Sequence, residues 1–179
     1  MADNRFRFGI EHEVAFVRLP VGAGSTGGHA GAEFADFTNT GAGDLQAVVD
    51  ALPVHLDDGL HVDVVRRKVG RWYVEGYDRY DEAGRFTGCD PKGIEIRTPV
   101  CDTIGDAVAT LRDAAGRLTA AASRRGLVPV TVGFNPVRAG YTPSPPLNPW
   151  ETRRRAGCPE ARTAHLHMVT YGPDLNLSR

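Results

Sequence analysis

Polar and apolar positions alternate along residues 6–18, where Phe8, Ile10, Val14 and Phe16 interleave with Glu11 and Glu13. A period of two predicts a strand, and side chains at i and i+2 share one face of it. Two carboxylates thus stand on the face opposite a core-grade apolar row. The same alternation marks residues 71–80, followed by a turn at 81–84 and a return strand opening at Arg85-Phe86. Asp90-Pro91-Lys92-Gly93 then leads into a further strand over 94–99, with Glu95 and Arg97 opposite Ile94 and Ile96. An apolar strand is expected over 128–134, and a last one over 164–171 with His165 and His167 on one face.

Helical spacing appears twice. Leu45, Val48, Val49 and Leu52 form one stripe of a short helix over 44–52, with Asp44 placed to cap it. Ile104, Val108, Leu111, Ala115, Leu118 and Ala122 form the stripe of a longer one. Thr103 and Asp106 resemble a capping box at its start, and Gly126 suits its end. A third, short helix is expected over 152–162. Residues 20–32 are rich in Gly, Ala and Ser and predict a flexible loop; residues 135–150 carry five prolines and predict an irregular one. No internal repeat is present. Hairpin-linked strands with two packing helices predict an α+β fold, a curved, mainly antiparallel sheet with packing helices, in one domain over residues 1–179.

Composition narrows the classes. With 41% apolar and 24% charged residues, a packed core is expected rather than disorder. A formal net charge of −1 argues against a dedicated nucleic-acid or anionic-membrane binder, so neither is expected as a partner. Cys89, Cys101 and Cys158 are odd in number and lack C-x-x-C spacing, which fits reduced thiols. No apolar leader opens the sequence and no stretch reaches the length of a membrane span. A cytoplasmic location is the expectation.

The candidate chemistry sits on three strands. Glu11 and Glu13, about 7 Å apart at their roots, suit hard divalent ions such as magnesium or manganese, including a pair roughly 4 Å apart. Glu95 and Arg97 read either as a metal ligand beside an anion clamp or as a cross-strand ion pair contributing about 1 kcal/mol or less. His165 and His167 lack a third soft ligand at zinc spacing, so one histidine joining carboxylates around a metal fits better. The Arg153-Arg154-Arg155 run reads as a solvated helix face.

Phe8-Gly9-Ile10-Glu11-His12-Glu13, Gly93-Ile94-Glu95-Ile96-Arg97-Thr98-Pro99 and His165-Leu166-His167 stand in an order and spacing that resemble the glutamate–cysteine ligases and related carboxylate–amine ligases of the glutamine-synthetase-like superfamily. The resemblance runs from about residue 6 to the C-terminus and covers the N-terminal half of such an enzyme. It implies an ATP-dependent C–N ligase that phosphorylates a carboxylate, typically the γ-carboxyl of glutamate, and passes the acyl group to an amine such as cysteine. It implies Glu11, Glu13, Glu95 and His167 as metal ligands for magnesium or manganese. Glu11, Glu13 and Arg97 become catalytic, and Arg97 and His165 contact the nucleotide. An upstream acid also belongs near the second metal strand, with Asp90 and Glu75 competing for the role. The missing half implies self-association or a second chain to complete the site. Two rival classes remain: a metal- or nucleotide-binding domain without turnover, and a metal-dependent hydrolase.

Overall fold

The computed structural model describes residues 6–20, 31–53 and 70–178. The elements in chain order are β1 (Arg7–Arg18), β2 (Glu33–Ala35), α1 (Ala42–Val49), β3 (Trp72–Tyr80), β4 (Phe86–Arg97), α2 (Ile104–Ser123), β5 (Leu127–Val130), α3 (Pro149–Gly157), α4 (Pro159–Arg162), α5 (Ala164–His167) and β6 (Pro173–Ser178). The fold is α+β with six strands, and every pairing between them is antiparallel. Of the loop expected over 20–32, residues 21–30 lie outside the described residues.

β1 is the hub. β4 and β6 flank its N-terminal part, β2 and β5 its C-terminal part, and β3 extends the sheet beyond β4. Its even-numbered side chains Val14 and Phe16 join Trp72, Val74, Ile94 and Ile96 in the main core, under α1 and α2. His12 registers with Ile96 on this core side, and its Nδ1 is buried without a hydrogen-bond partner among the described residues.

α1 starts two residues before its expected first residue. Asp44 caps it from the third helical position, its Oδ2 accepting the Gly41 backbone N–H at 3.2 Å. In α2 the cap at Thr103 forms as expected and Gly126 takes φ +69° just beyond the end, where glycine is the cheapest residue. Of the expected stripe, Leu118 and Ala122 are buried and Leu111 and Ala115 pack against the core, whereas Ile104 and Val108 are exposed; Ala107, Ala114 and Ala121, not in that stripe, are buried as well. Alanine lets the helix axis approach the sheet closely enough for the Trp72 indole to donate to the Ala114 carbonyl at 3.2 Å. Thr103→Ala removes the bond that the side chain accepts from Asp106 N at 3.1 Å. We expect it to cost about 1 kcal/mol and to lower the thermal midpoint by about 2–4 °C in calorimetry.

Three further expectations need correction. β4 is one unbroken strand from Phe86 to Arg97 rather than two pieces separated at residues 90–93. Its register jumps from Gly93 against Glu75 to Pro91 against Gly76, so Lys92 is an extra, bulged residue. Pro91, which cannot donate to a ladder, is tolerated at such a bulge. The strand expected over 128–134 ends at Val130, with Phe134 keeping one isolated bridge to Thr170. The strand expected over 164–171 is instead the helical turn α5; the last strand is β6, further along. All three cysteines are unbridged, as expected. Among the described residues no helix is long and apolar enough to cross a membrane.

Candidate functional site

Odd-numbered positions of β1 face away from the helices, and register decides what they meet. Glu11 lies opposite Arg97 and Glu13 opposite Glu95 on β4, while Tyr73 of β3 lies opposite Glu95. Directly opposed residues of an antiparallel pair share a face. Glu75, two residues beyond Tyr73, shares it as well. One side of the sheet thus gathers four carboxylates and a guanidinium.

Each charge has a defined setting. Glu75 and Glu95 are buried, Glu13 is mostly so, and Glu11 is half-buried. Glu11 makes no side-chain hydrogen bond or ion pair with any described residue. The Arg97 guanidinium donates to the Gly70 carbonyl at 2.9 Å and stacks 4.7 Å from the Tyr73 ring centre. It is therefore a fixed cation at the end of the row. The Tyr73 phenol is raised well above its ordinary range by burial, then by the charges of Glu95 and Glu75, and stays a donor to Glu95.

The bulge adds a residue that the alternation hides. By parity Lys92 belongs on the core side with Ile94, yet its ammonium reaches the carboxylate face. There it donates to Glu13 Oε1 at 2.7 Å and to the His167 carbonyl at 2.7 Å. Its side chain is 0% exposed and lies 5.4 Å from the Tyr171 ring centre. The bulge also shifts parity beyond it, bringing Asp90 opposite Tyr77. The sign available in the sequence was Pro91 inside a strand, which marks a bulge.

α5 separates the two histidines. In a helix, residues two apart point about 200° from each other, so His165 and His167 do not share a face. The His167 imidazole Nε2 stands 3.5 Å from Glu75 Oε1 and 4.0 Å from Glu13 Oε1. His165 is exposed and its ring bonds none of these carboxylates; its backbone carbonyl accepts from Tyr141 N at 3.0 Å. Ala161, Ala164 and Met168, all buried, carry the helical spacing that the alternating reading overlooked.

Of the two acids competing to complete the group, Glu75 is the one beside it. Asp90 is held apart by Arg79, at 3.1 Å, and by the Tyr141 hydroxyl. Burial and the bond to Asp90 push the Tyr141 phenol up, so it remains the donor. The arginine run of α3 is not part of the row; Arg154 stacks 5.0 Å over the Tyr80 ring.

The arrangement offers hard oxygen donors and one imidazole to a cation, next to a fixed guanidinium for an anion. Among the described residues, no three His, Cys, Asp or Glu side chains already stand in ligating geometry around one point. The Lys92 ammonium, on Glu13, is the cation the structure itself supplies. Comparison with protein-family models, with curated proteins and with solved structures finds no match to this chain.

Proposed function

We propose that this chain is an ATP-dependent carboxylate–amine ligase similar to the glutamate–cysteine ligases, acting through the face built by β1, β3 and β4. The observation that supports it is the register that sets Glu11 and Glu13 against Arg97 and Glu95, with Glu75 and His167 beside them. The reaction transfers the γ-phosphoryl group of ATP to a carboxylate, typically the γ-carboxyl of glutamate. An amine such as cysteine then attacks the acyl carbon, and phosphate leaves with the C–O bond electrons. The donor set fits magnesium or manganese in kind, since these ions prefer carboxylate oxygens. Glu11, Glu13, Glu95 and His167 would hold such an ion, which when bound supplies positive charge to the phosphate oxygens.

The protein's own groups do the positioning. Arg97, braced by Gly70 and Tyr73, presents a fixed cation to a phosphate or carboxylate. Tyr73 and Lys92 hold Glu95 and Glu13 in place. His165, exposed on α5, contacts nucleotide in this reading only from the rim. A second reading makes the chain one subunit of a split ligase, or a binding remnant without turnover. The exposed leucines of β6, Leu175 at 55% and Leu177 at 59%, favour a second chain or self-association on that side.

The test is ADP release from magnesium–ATP with glutamate and a panel of amines including cysteine. Turnover should require both an acid and an amine. It should fall by more than about tenfold in Glu11→Gln and Glu13→Gln, since disturbing even the partners of metal ligands costs roughly 10–100-fold. Equal turnover in the variants would overturn the assignment of the face. Nucleotide binding without turnover would favour the remnant or split-enzyme reading.

A further inference from the structure

β6 has an open outer edge: β1 is its only strand partner among the described residues. The alternation of an antiparallel ladder decides which of its backbone groups are unused. Glu13 N donates to the Gly172 carbonyl at 3.1 Å. In that register the residues of β6 that bond β1 are Asp174, Asn176 and Ser178. Leu175 and Leu177 therefore turn their N–H and C=O groups outward. Natural sheets guard such an edge with lysine, a bulge or a covering segment. Over residues 175–178 β6 has neither lysine nor bulge, and its two leucines are 55% and 59% exposed.

We propose that this edge pairs with β6 of a second copy of the chain, antiparallel about a two-fold axis at Asn176. The proposal holds whether or not the chain is a ligase. In that register the strand is complementary to itself, as a two-fold interface requires. Leu175 falls opposite Leu177 of the second copy, and Leu177 opposite its Leu175. Each such pair exchanges two backbone hydrogen bonds through the outward N–H and C=O groups. Directly opposed residues share a face, so four leucines meet on the helix side of the sheet, next to Phe8 and Ile10 of each β1. On the carboxylate side Asn176 meets its own copy, amide to amide, and Asp174 meets Ser178, a hydroxyl donor. No like charges stand opposed. Moving the axis to Asp174 would set two carboxylates against each other, and moving it to Leu175 would set Leu177 against Pro173. The two sheets then run on as one, with both carboxylate faces on the same side.

Analytical ultracentrifugation of the full chain, without nucleotide or metal, is the test. The wild type should sediment as two chains per particle and dissociate on dilution. Leu177→Lys should be monomeric, since lysine is a residue that guards natural edges. Leu175→Pro should be monomeric as well. The β1 ladder does not use the Leu175 N–H, and proline is tolerated where an edge N–H points outward, so circular dichroism should be unchanged. The register is read at the axis. Asn176→Asp and Asn176→Lys each set like charges against their own copy and should weaken the dimer by about tenfold or more. Their equimolar mixture should associate more tightly than either alone. If Leu175→Pro does not fold, the Asn176 variants, changed at an exposed side chain, decide the matter. A wild type that is monomeric at every concentration would overturn the proposal and leave the edge to a different protein. A dimer untouched by Leu177→Lys, or a mixture no tighter than its components, would overturn it too. None of these outcomes bears on ligase activity.

Discussion

Gly93→Ala is expected to remove a large part of the protein's stability. Gly93 lies in β4, between β1 and β3, with Glu75 opposite. A methyl group built there would run into the Val14 carbonyl oxygen of β1. The obstacle is backbone held by two ladders, so no side-chain rotation relieves it. Overpacking costs about 1–3 kcal/mol even where side chains give way. An immovable carbonyl puts this substitution at or above about 3 kcal/mol, a large share of the total stability of an ordinary domain. The expected fall in thermal midpoint is about 6–12 °C at this chain length. Gly116→Ala supplies the opposite sign: this glycine is exposed in α2 with nothing within 4 Å of its added carbon. Helix propensity predicts a gain of about 1 kcal/mol there. Thermal unfolding by circular dichroism reads both. A Gly93→Ala midpoint equal to that of the wild type would show that the strands can part, and would contradict the close approach.

Legibility in the sequence follows how local each determinant is. The two glutamates of β1 and the Thr103 cap were readable because a strand face and a helix start depend on residues within three positions. The α2 stripe holds from Leu111 to Ala122 but wrongly took in the exposed Ile104 and Val108, because large apolar residues weigh most in a periodicity. The close helix–sheet contact also selects Ala107, Ala114 and Ala121, spaced by seven, which the stripe left out. The strand reading of His165 and His167 failed for a related reason: three residues are too few to separate a period of two from one turn of helix. Lys92 was hidden because a bulge is a property of two strands together. Read along its own strand, Lys92 belongs with Ile94; only the slip against Glu75 and Gly76 brings it to Glu13. The same slip joined what had been read as two strands into β4. Thus the carboxylates of this face were visible in one dimension, and the cation that bonds Glu13 was not.

Removing Glu151 should rival the glycine substitution, by a different route. Its carboxylate is 2% exposed and accepts from Arg79 Nε at 2.9 Å, Tyr80 N at 3.0 Å and Asn148 N at 2.9 Å. It therefore ties α3 and the proline-rich loop to β3, through the same Arg79 that bonds Asp90. Glu151→Leu leaves two backbone N–H groups and part of the Arg79 charge uncompensated. Breaking a buried pair costs about 3–5 kcal/mol, and Asp90, still on Arg79, holds the loss to the lower end, about 3 kcal/mol. Protonation should reproduce part of that loss. Burial works to raise the Glu151 carboxyl, but the bonds from Arg79, Tyr80 N and Asn148 N outweigh it and hold the group below its ordinary range. A folded value below the unfolded one means that the native state binds fewer protons, so the contribution is complete above the unfolded value, about pH 4.3. It is lost as pH falls through the folded value. Glu151→Gln cannot titrate, and its deficit against the wild type should be largest near neutral pH and shrink towards pH 3. Urea unfolding at pH 7, 5, 4 and 3 measures that difference. A deficit independent of pH would mean that Glu151 acts only by shape, and that its charge does not hold α3 against the sheet.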